Sequence, residues 1–134
     1  MKITCGTDII EIERIKESIE QLKDKFLERI YTENEIKYCE SKNGQKYQHY
    51  AARFAAKEAA FKALSWKLKD KYSVTWKDIE VINNKDGRPS LNILGIDLND
   101  VESIDISLSH CKQYAVANVS VISKYIVNTN REKV

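Results

Sequence analysis

Four charged side chains interrupt a stretch that is otherwise apolar and rich in alanine, and they could take part in chemistry there. They are Arg53, Lys57, Glu58 and Lys62. Arg53 and Lys57 are four residues apart, so on a helix they face the same way and repel each other. A phosphate group would satisfy both cations, and so would salt bridges inside the fold or at a subunit interface. The residues alone leave both explanations open.

Two carboxylates could together hold a divalent cation. Asp8 follows Gly6 in a run that is otherwise apolar, and Glu58 lies far along the chain in the alanine-rich stretch. Mg2+ usually takes one or two protein carboxylates and fills its other positions with water and phosphate oxygens. Asp8 would alternatively cap a following helix, because aspartate is a good N-cap residue. Glu58 would alternatively form a helical ion pair with Lys62.

Motifs of other phosphate-handling and hydrolytic enzymes are missing from the sequence. It contains no GxxxxGK[ST], no GxGxxG, no HExxH and no GxSxG, which excludes a P-loop, a dinucleotide-binding loop, a zincin site and a nucleophile elbow. His110 ends an alternating segment that starts at Ser107, where either a structural or a binding role is open. His49 stands in a polar stretch, and the sequence predicts no role for it.

Composition and charge narrow the class of protein. The 134 residues are 43% hydrophobic and 31% charged, which predicts one folded domain, over residues 1–123, with a frayed tail at 124–134. A net charge of +2 gives no sign of nucleic-acid binding. No apolar run reaches the roughly 18 residues of a membrane span. Three cysteines without CxxC spacing favour free thiols in a reducing compartment. We therefore expect a cytoplasmic protein without nucleic-acid or membrane partners.

Apolar periodicity predicts the elements that position these residues. The segment from Ile3 to Ile10 is typical of a strand, interrupted by Gly6. One helical apolar face runs from Ile12 to Ile30. Thr32 with Glu35 forms a capping-box pattern that begins a second, short helix. A third helix covers about residues 47–66, and its dense alanines predict packing on several sides, within the chain or at a subunit boundary.

The second half of the chain has β-strand patterns. Asp86-Gly87 is a hairpin turn signal between two short apolar segments. Alternation around Ile106 and the β-branched run that starts at Tyr114 predict two further strands. The sequence thus predicts an α+β fold, with an N-terminal strand and helices packed on an antiparallel β meander.

Taken together, these segments resemble the holo-acyl-carrier-protein synthases of the 4'-phosphopantetheinyl transferase family. Residues 6–15 look like the family's G-x-D-hydrophobic motif, and residues 53–64 like its R-F-A-x-K-E-A-x-x-K-A block. Residues 86–89 look like its G-[KR]-P hairpin, and residues 107–115 like its S-[IL]-[ST]-H block. The resemblance spans about residues 3–122. It departs from the family after Leu64, where Ser65-Trp66-Lys67 replaces a glycine-bearing loop.

The resemblance implies the 4'-phosphopantetheinyl transferase fold and its activity. The 4'-phosphopantetheine group of coenzyme A would pass to a serine of apo acyl carrier protein, with release of 3',5'-ADP, in fatty acid biosynthesis. By the same resemblance, Asp8 and Glu58 would bind Mg2+, with Mn2+ as the alternative metal. Lys62 would lie at the pyrophosphate. Glu58 would act as a base through a water, or as a metal ligand alone.

The resemblance also implies binding surfaces. Arg53 and His110 would contact phosphate groups of coenzyme A, Pro89 would border its adenine, and Arg14 would contact the carrier protein. The family commonly forms homotrimers with active sites between neighbouring subunits.

Two alternatives for the function stay open. One is a related transferase for polyketide- or peptide-synthase carriers, which typically has two pseudo-repeated halves. The other is a non-enzymatic oligomeric binding module whose helix charges form interface salt bridges.

Overall fold

A computed structural model describes residues 1–68, 70 and 73–124 of the protein. The strands are β1 (Lys2–Glu11), β2 (Ile79–Asn83), β3 (Pro89–Ile93), β4 (Val101–His110) and β5 (Tyr114–Ser123). The helices are α1 (Ile12–Leu22), α2 (Asp24–Ile30), α3 (Glu33–Glu40) and α4 (Lys46–Leu64). Single turns of 3-10 helix lie at Asn43–Gln45, Ser65–Lys67 and Trp76–Asp78. The predicted frayed tail lies outside the described residues, except for Lys124.

The strands form two antiparallel sheets. β1, β5 and β4 lie side by side in that order, whereas β2 and β3 form a separate hairpin. The predicted meander is therefore divided between two sheets, and the N-terminal strand belongs to the larger one. Gly95 lies between β3 and β4 with φ of 77°, a turn conformation that favours glycine and ends the hairpin before β4 begins.

Helix α4 lies across one face of the three-stranded sheet. It also contacts α1, α3 and β2, all from the same chain. Its seven alanines are between 0% and 3% exposed, namely Ala51, Ala52, Ala55, Ala56, Ala59, Ala60 and Ala63. The predicted packing on several sides is thus confirmed within a single chain, so α4 needs no neighbouring subunit to cover it. No helix in the described residues is long and apolar enough to cross a membrane.

Gly6 lets α4 approach β1 closely. A β-carbon at Gly6 would lie 1.9 Å from the carbonyl oxygen of Ala59 and 2.9 Å from the amide nitrogen of Ala63. Beside it, the Thr4 hydroxyl donates a hydrogen bond of 2.8 Å to the Ala63 carbonyl. The expectation that Gly6 interrupts the strand is wrong, because β1 continues through it. The glycine instead allows the contact that places Asp8 beside α4.

We expect Gly6→Ala to lower the free energy of unfolding by about 3 kcal/mol, since the methyl group meets helix backbone that can only move as a whole. Transfer activity should fall as well, because β1 carries Asp8. Gly44→Ala is the matched control, as its β-carbon would meet nothing within 4 Å, and it should change stability by less than about 0.5 kcal/mol. Urea denaturation measures both. Equal stability of the two variants would contradict this account of Gly6.

The single helix predicted from Ile12 to Ile30 is in fact two helices. Lys23 has φ of 51°, and its amide donates a 2.8 Å hydrogen bond to the Ile19 carbonyl, which ends α1. Neither proline nor glycine lies at this break, and the helical spacing of apolar residues continues across it, which is why the sequence predicted one helix. Leu22, which the period placed on the buried face, is 53% exposed.

The capping box at the start of α3 is confirmed. The Glu35 amide donates to the Thr32 hydroxyl at 3.3 Å, and the Thr32 amide donates to Glu35 Oε1 at 2.9 Å. Glu35 itself is 1% exposed, an unusual burial for a carboxylate, which needs a further partner.

Candidate active site

The contact between β1 and α4 brings three of the predicted site residues together. Lys62 Nζ, on α4, lies 3.3 Å from Asp8 Oδ1 and donates a 2.9 Å hydrogen bond to the carbonyl of Thr7. Glu58 lies one turn before Lys62. Burial, then the negative charge of Asp8, raises the pKa of Glu58, while Lys62 acts in the opposite direction. The two carboxylates are therefore close enough to repel each other.

The structure excludes the alternative roles of these residues. Asp8 lies inside β1, opposite Ala117 of β5, and the N-cap of α1 is Glu11. The N-cap role for Asp8 is therefore wrong. Within the described residues, the salt bridge of Lys62 is made with Asp8, so the expected helical pair of Lys62 with Glu58 is replaced by a contact between α4 and β1.

A pocket of about 480 Å³ opens beside the two carboxylates. Its lining combines charged groups with an apolar wall from β1, α1 and α4, and includes Asp8, Glu58, Arg14, Phe54 and Tyr114. Arg14 projects from α1, so a cation on that helix shares the pocket with the carboxylates on β1 and α4. The predicted metal, pyrophosphate and carrier residues are thus neighbours.

Asp8 and Glu58 fit a hard divalent cation. The raised pKa of Glu58 reflects repulsion and burial that a bound cation would offset. Among the described residues Lys62 forms its salt bridge with Asp8 and none is formed by Glu58. No group of three or more metal-binding side chains occurs among the described residues, which suits a cation that takes two carboxylates and completes its shell with water and phosphate oxygens.

Lys57 does not share an anion with Arg53. Its ammonium group is fully buried and donates to Glu35 Oε1 at 2.7 Å. It also donates to the carbonyls of Trp76 at 3.0 Å and Ile79 at 2.6 Å. Burial lowers the pKa of Lys57, and the charge of Glu35 opposes that shift. The salt-bridge explanation therefore holds for Lys57, and the shared-phosphate explanation is wrong for it.

Arg53 is held from two sides but lacks a carboxylate partner within the described part of the chain. Its guanidinium carbon lies 4.1 Å from the centroid of the Tyr38 ring on α3. Nη2 donates a 2.8 Å hydrogen bond to Asn83 Oδ1 at the end of β2. The residue is 3% exposed and its Nε has no partner. A positioned guanidinium without a counter-charge suits an anion.

His110 lies next to a histidine for which the sequence predicted no role. The ring centroids of His110 and His49 are 5.7 Å apart, and the His49 ring is 5.6 Å from that of Tyr38. Tyr38, His49, Arg53 and His110 are here called the His–Arg cluster. One signal in the sequence pointed to His49, since it precedes Arg53 by four residues and so shares its helix face.

Comparison with known proteins identifies the family. Residues 4–119 match the 4'-phosphopantetheinyl transferase superfamily. A holo-[acyl-carrier-protein] synthase from Ruminiclostridium cellulolyticum is 44% identical over 122 residues, covering 87% of this chain and 90% of that protein. The chain belongs to the holo-[acyl-carrier-protein] synthases.

Solved structures of such synthases share the fold. One from Bacillus anthracis, in complex with CoA (3',5'-ADP), is 38% identical with a TM-score of 0.72, covering 90% of this chain and 96% of that one. One from Helicobacter pylori, in complex with coenzyme A, is 30% identical with a TM-score of 0.76, covering 88% and 99%. The predicted α+β class and the 4'-phosphopantetheinyl transferase fold are confirmed.

In this synthase the predicted site residues form separate groups. Arg53 and Glu58 are about 140° apart around α4, at about 100° per residue. Asp8 on β1 and His110 on β4 are separated by β5. Pro89 lines another groove, together with residues of β4 and β5. One chain thus brings together Asp8, Glu58, Lys62 and Arg14, whereas the other predicted residues lie elsewhere, and their roles stay predictions.

Proposed function

We propose that this chain transfers the 4'-phosphopantetheine group of coenzyme A to a serine of apo acyl carrier protein, for fatty acid biosynthesis in the cytoplasm. The observation that carries the proposal is the convergence of Asp8, Glu58 and Lys62 beside one pocket. Relatives named holo-[acyl-carrier-protein] synthase, one of them in complex with CoA (3',5'-ADP), support the choice of substrates. The free cysteines suit a reducing compartment.

The chemistry is a phosphoryl transfer that depends on positioning and charge. The serine oxygen bonds to the β-phosphorus of coenzyme A, the bond to the departing 3',5'-ADP breaks, and the serine proton leaves. Asp8 and Glu58 would hold Mg2+ or Mn2+, which when bound neutralises charge on the phosphate oxygens. Lys62, which is held by its hydrogen bond to the Thr7 carbonyl, adds a cation beside the two carboxylates. Glu58 lines the pocket beside Asp8, a position from which it would accept the serine proton through a water.

A competition between carrier classes tests the proposed function against its alternatives. The protein is incubated with coenzyme A, Mg2+ and equal amounts of an apo acyl carrier protein and an apo peptide-synthase carrier domain. Faster modification of the acyl carrier protein supports the proposal. Faster modification of the other carrier would favour the related transferase, and modification of neither would favour the non-enzymatic module.

We further propose that the active unit is a homotrimer. In one chain the His–Arg cluster and Pro89 lie away from the carboxylate pocket, so a neighbouring chain is needed to supply them. The sheet face opposite α4 is open for such contact in the single chain, where Ile3 is 60% and Ile9 is 64% exposed. Mixing subunits that carry Asp8→Asn with subunits that carry Arg53→Ala should restore activity, whereas failure of all such mixtures would refute a shared site.

Arg14→Glu is expected to raise KM for the carrier by about tenfold at low salt, with little change in KM for coenzyme A. Acyl carrier proteins are acidic, so a reversed charge at the pocket repels the partner, and salt should reduce the effect. Lys77→Glu is a matched control, because Lys77 lines a different groove beside α2 and α3. Steady-state kinetics at two salt concentrations measures these effects. Equal changes in both KM values would exclude Arg14 from the docking surface.

A further inference from the structure

His49 faces the residues that the proposed function assigns to coenzyme A phosphate. Its ring is 5.7 Å from that of His110, and Arg53 lies one turn further along the same face of α4. His49 is half-buried and His110 is exposed. A ligand can therefore reach both rings from solvent while Arg53 stays fixed beneath them.

The charged groups around His49 are cations. Lys42 approaches from the turn after α3, with its ammonium group 4.8 Å from the centroid of the Tyr38 ring. Burial, followed by the charges of Arg53, His110 and Lys42, lowers the pKa of His49. The carboxylates on the neighbouring elements bind other groups: Glu40 binds Lys46 and Tyr50, Glu35 binds Lys57, and Glu80 binds Thr32. The cluster thus holds positive charge without a protein counter-ion among the described residues around it.

We propose that His49 is an additional ligand for the phosphomonoester group of coenzyme A and that it binds this group as the imidazolium cation. The inference rests on the proposed function, which supplies coenzyme A as the ligand and Arg53 and His110 as its first contacts. Coenzyme A has one phosphomonoester, its 3'-phosphate. Such a group is mostly a dianion at neutral pH, because its second pKa is about 6. A second cation beside Arg53 would therefore strengthen its binding.

Binding through an imidazolium is linked to proton uptake. In the free protein His49 loses its proton below the usual histidine value of 6.5, because burial and the neighbouring cations disfavour its charge. A bound dianion stabilises that charge and raises the pKa of His49. Affinity for coenzyme A therefore increases as the pH falls from about 8.5 towards 6.5. Below about pH 6 the phosphate gains a proton itself, which opposes the increase.

Calorimetric titration of coenzyme A, with Mg2+ present and in buffers of different ionisation enthalpy, gives both affinity and proton uptake. His49→Gln removes the titratable charge, and His49→Phe does so while keeping a ring against Tyr38 and His110. At pH 6.5 each variant should bind about tenfold more weakly than wild type and take up fewer protons. At pH 8.5 the affinities should agree within about twofold, because His49 is then neutral.

Two controls separate this role from a structural one. Lys42→Gln removes a permanent charge beside the His–Arg cluster and keeps the titratable ring of His49, so it should weaken binding at pH 8.5 as well as at pH 6.5. Because the charge of Lys42 lowers the pKa of His49, its loss should reduce proton uptake somewhat, but much less than His49→Gln does. Titration with 3'-dephospho-coenzyme A, which lacks the phosphomonoester, should show no difference between wild type and the His49 variants.

The outcomes are distinct. If wild type binds coenzyme A and the His49 variants match it at pH 6.5, the inference is overturned and the proposed function stands. An equal loss towards coenzyme A and 3'-dephospho-coenzyme A also overturns the inference. If wild type binds no coenzyme A, the proposed function fails, and the inference fails with it.

Discussion

Asp8→Asn and Glu58→Gln are each expected to lower kcat/KM for transfer by at least about a hundredfold, because each removes a charge from the site where the phosphates react. Stability should not fall in parallel. Burial and the charge of Asp8 already disfavour the ionised form of Glu58, so neutral glutamine relieves repulsion in the metal-free protein. The measurement pairs initial rates of holo-carrier formation with urea denaturation of the same variants.

The double variant tests whether the two carboxylates act as one unit. If they bind one cation, Asp8→Asn combined with Glu58→Gln should be barely worse than either single variant. Glu11→Gln is a matched control, since Glu11 lines the same pocket but is not a predicted ligand, and it should keep a near-normal rate. An Asp8→Asn enzyme with near-normal rate and unchanged Mg2+ dependence would reject the carboxylate pair.

Lys57→Met should be the most destabilising single change on α4, at about 3–5 kcal/mol, because it leaves the buried Glu35 carboxylate without its counter-charge. Glu35 Oε2 also accepts a 3.0 Å hydrogen bond from the Val81 amide. The ion pair therefore joins α3 and α4 to β2, the elements that provide Tyr38, Arg53 and Asn83. Coenzyme A binding should weaken together with stability, and urea denaturation measures the latter.

A double-mutant cycle isolates this pair. Glu35→Gln removes the charge and keeps an oxygen for the Thr32 amide, but its NH2 group replaces the acceptor of the Val81 amide. Combined with Lys57→Met it should therefore recover part of the lost stability. Lys46→Met is the control on the same helix. Its 3.4 Å pair with Glu40 is partly exposed, and its loss should cost less than about 1 kcal/mol. A Lys57→Met variant as stable as Lys46→Met would contradict the assigned role of the buried pair.

Features that depend on residues close in sequence could be predicted. The start of α3 follows from the Thr32 and Glu35 capping box, α4 from its alanines, and the β2–β3 hairpin from Asp86-Gly87. In each case the atoms that decide the conformation belong to a short segment. The family motifs added the pairing of Asp8 with Glu58, which no local pattern contains.

Features that depend on distant contacts could not be predicted. The capping-box role of Glu35 gave no indication that the same carboxylate also neutralises Lys57. In the sequence, a glycine that ends a strand looks the same as a glycine that lets a helix pack closely against the strand. Only the position of the Ala59 carbonyl shows that Gly6 is of the second kind. Arg53 lies near His49 on the same helix, but His110 comes from β4, far along the chain, and only the fold brings the two histidine rings together.

The mass of the carrier protein tests the central claim most directly. Apo acyl carrier protein is incubated with coenzyme A, Mg2+ and the wild-type chain, and its intact mass is then measured by electrospray mass spectrometry. The account predicts a gain of one phosphopantetheine group with wild type and no gain with a carrier whose acceptor serine is replaced by alanine. At an incubation time that just completes the wild-type reaction, Asp8→Asn should modify only about a hundredth of the carrier or less. An unchanged carrier mass after prolonged incubation with folded wild-type protein would contradict it.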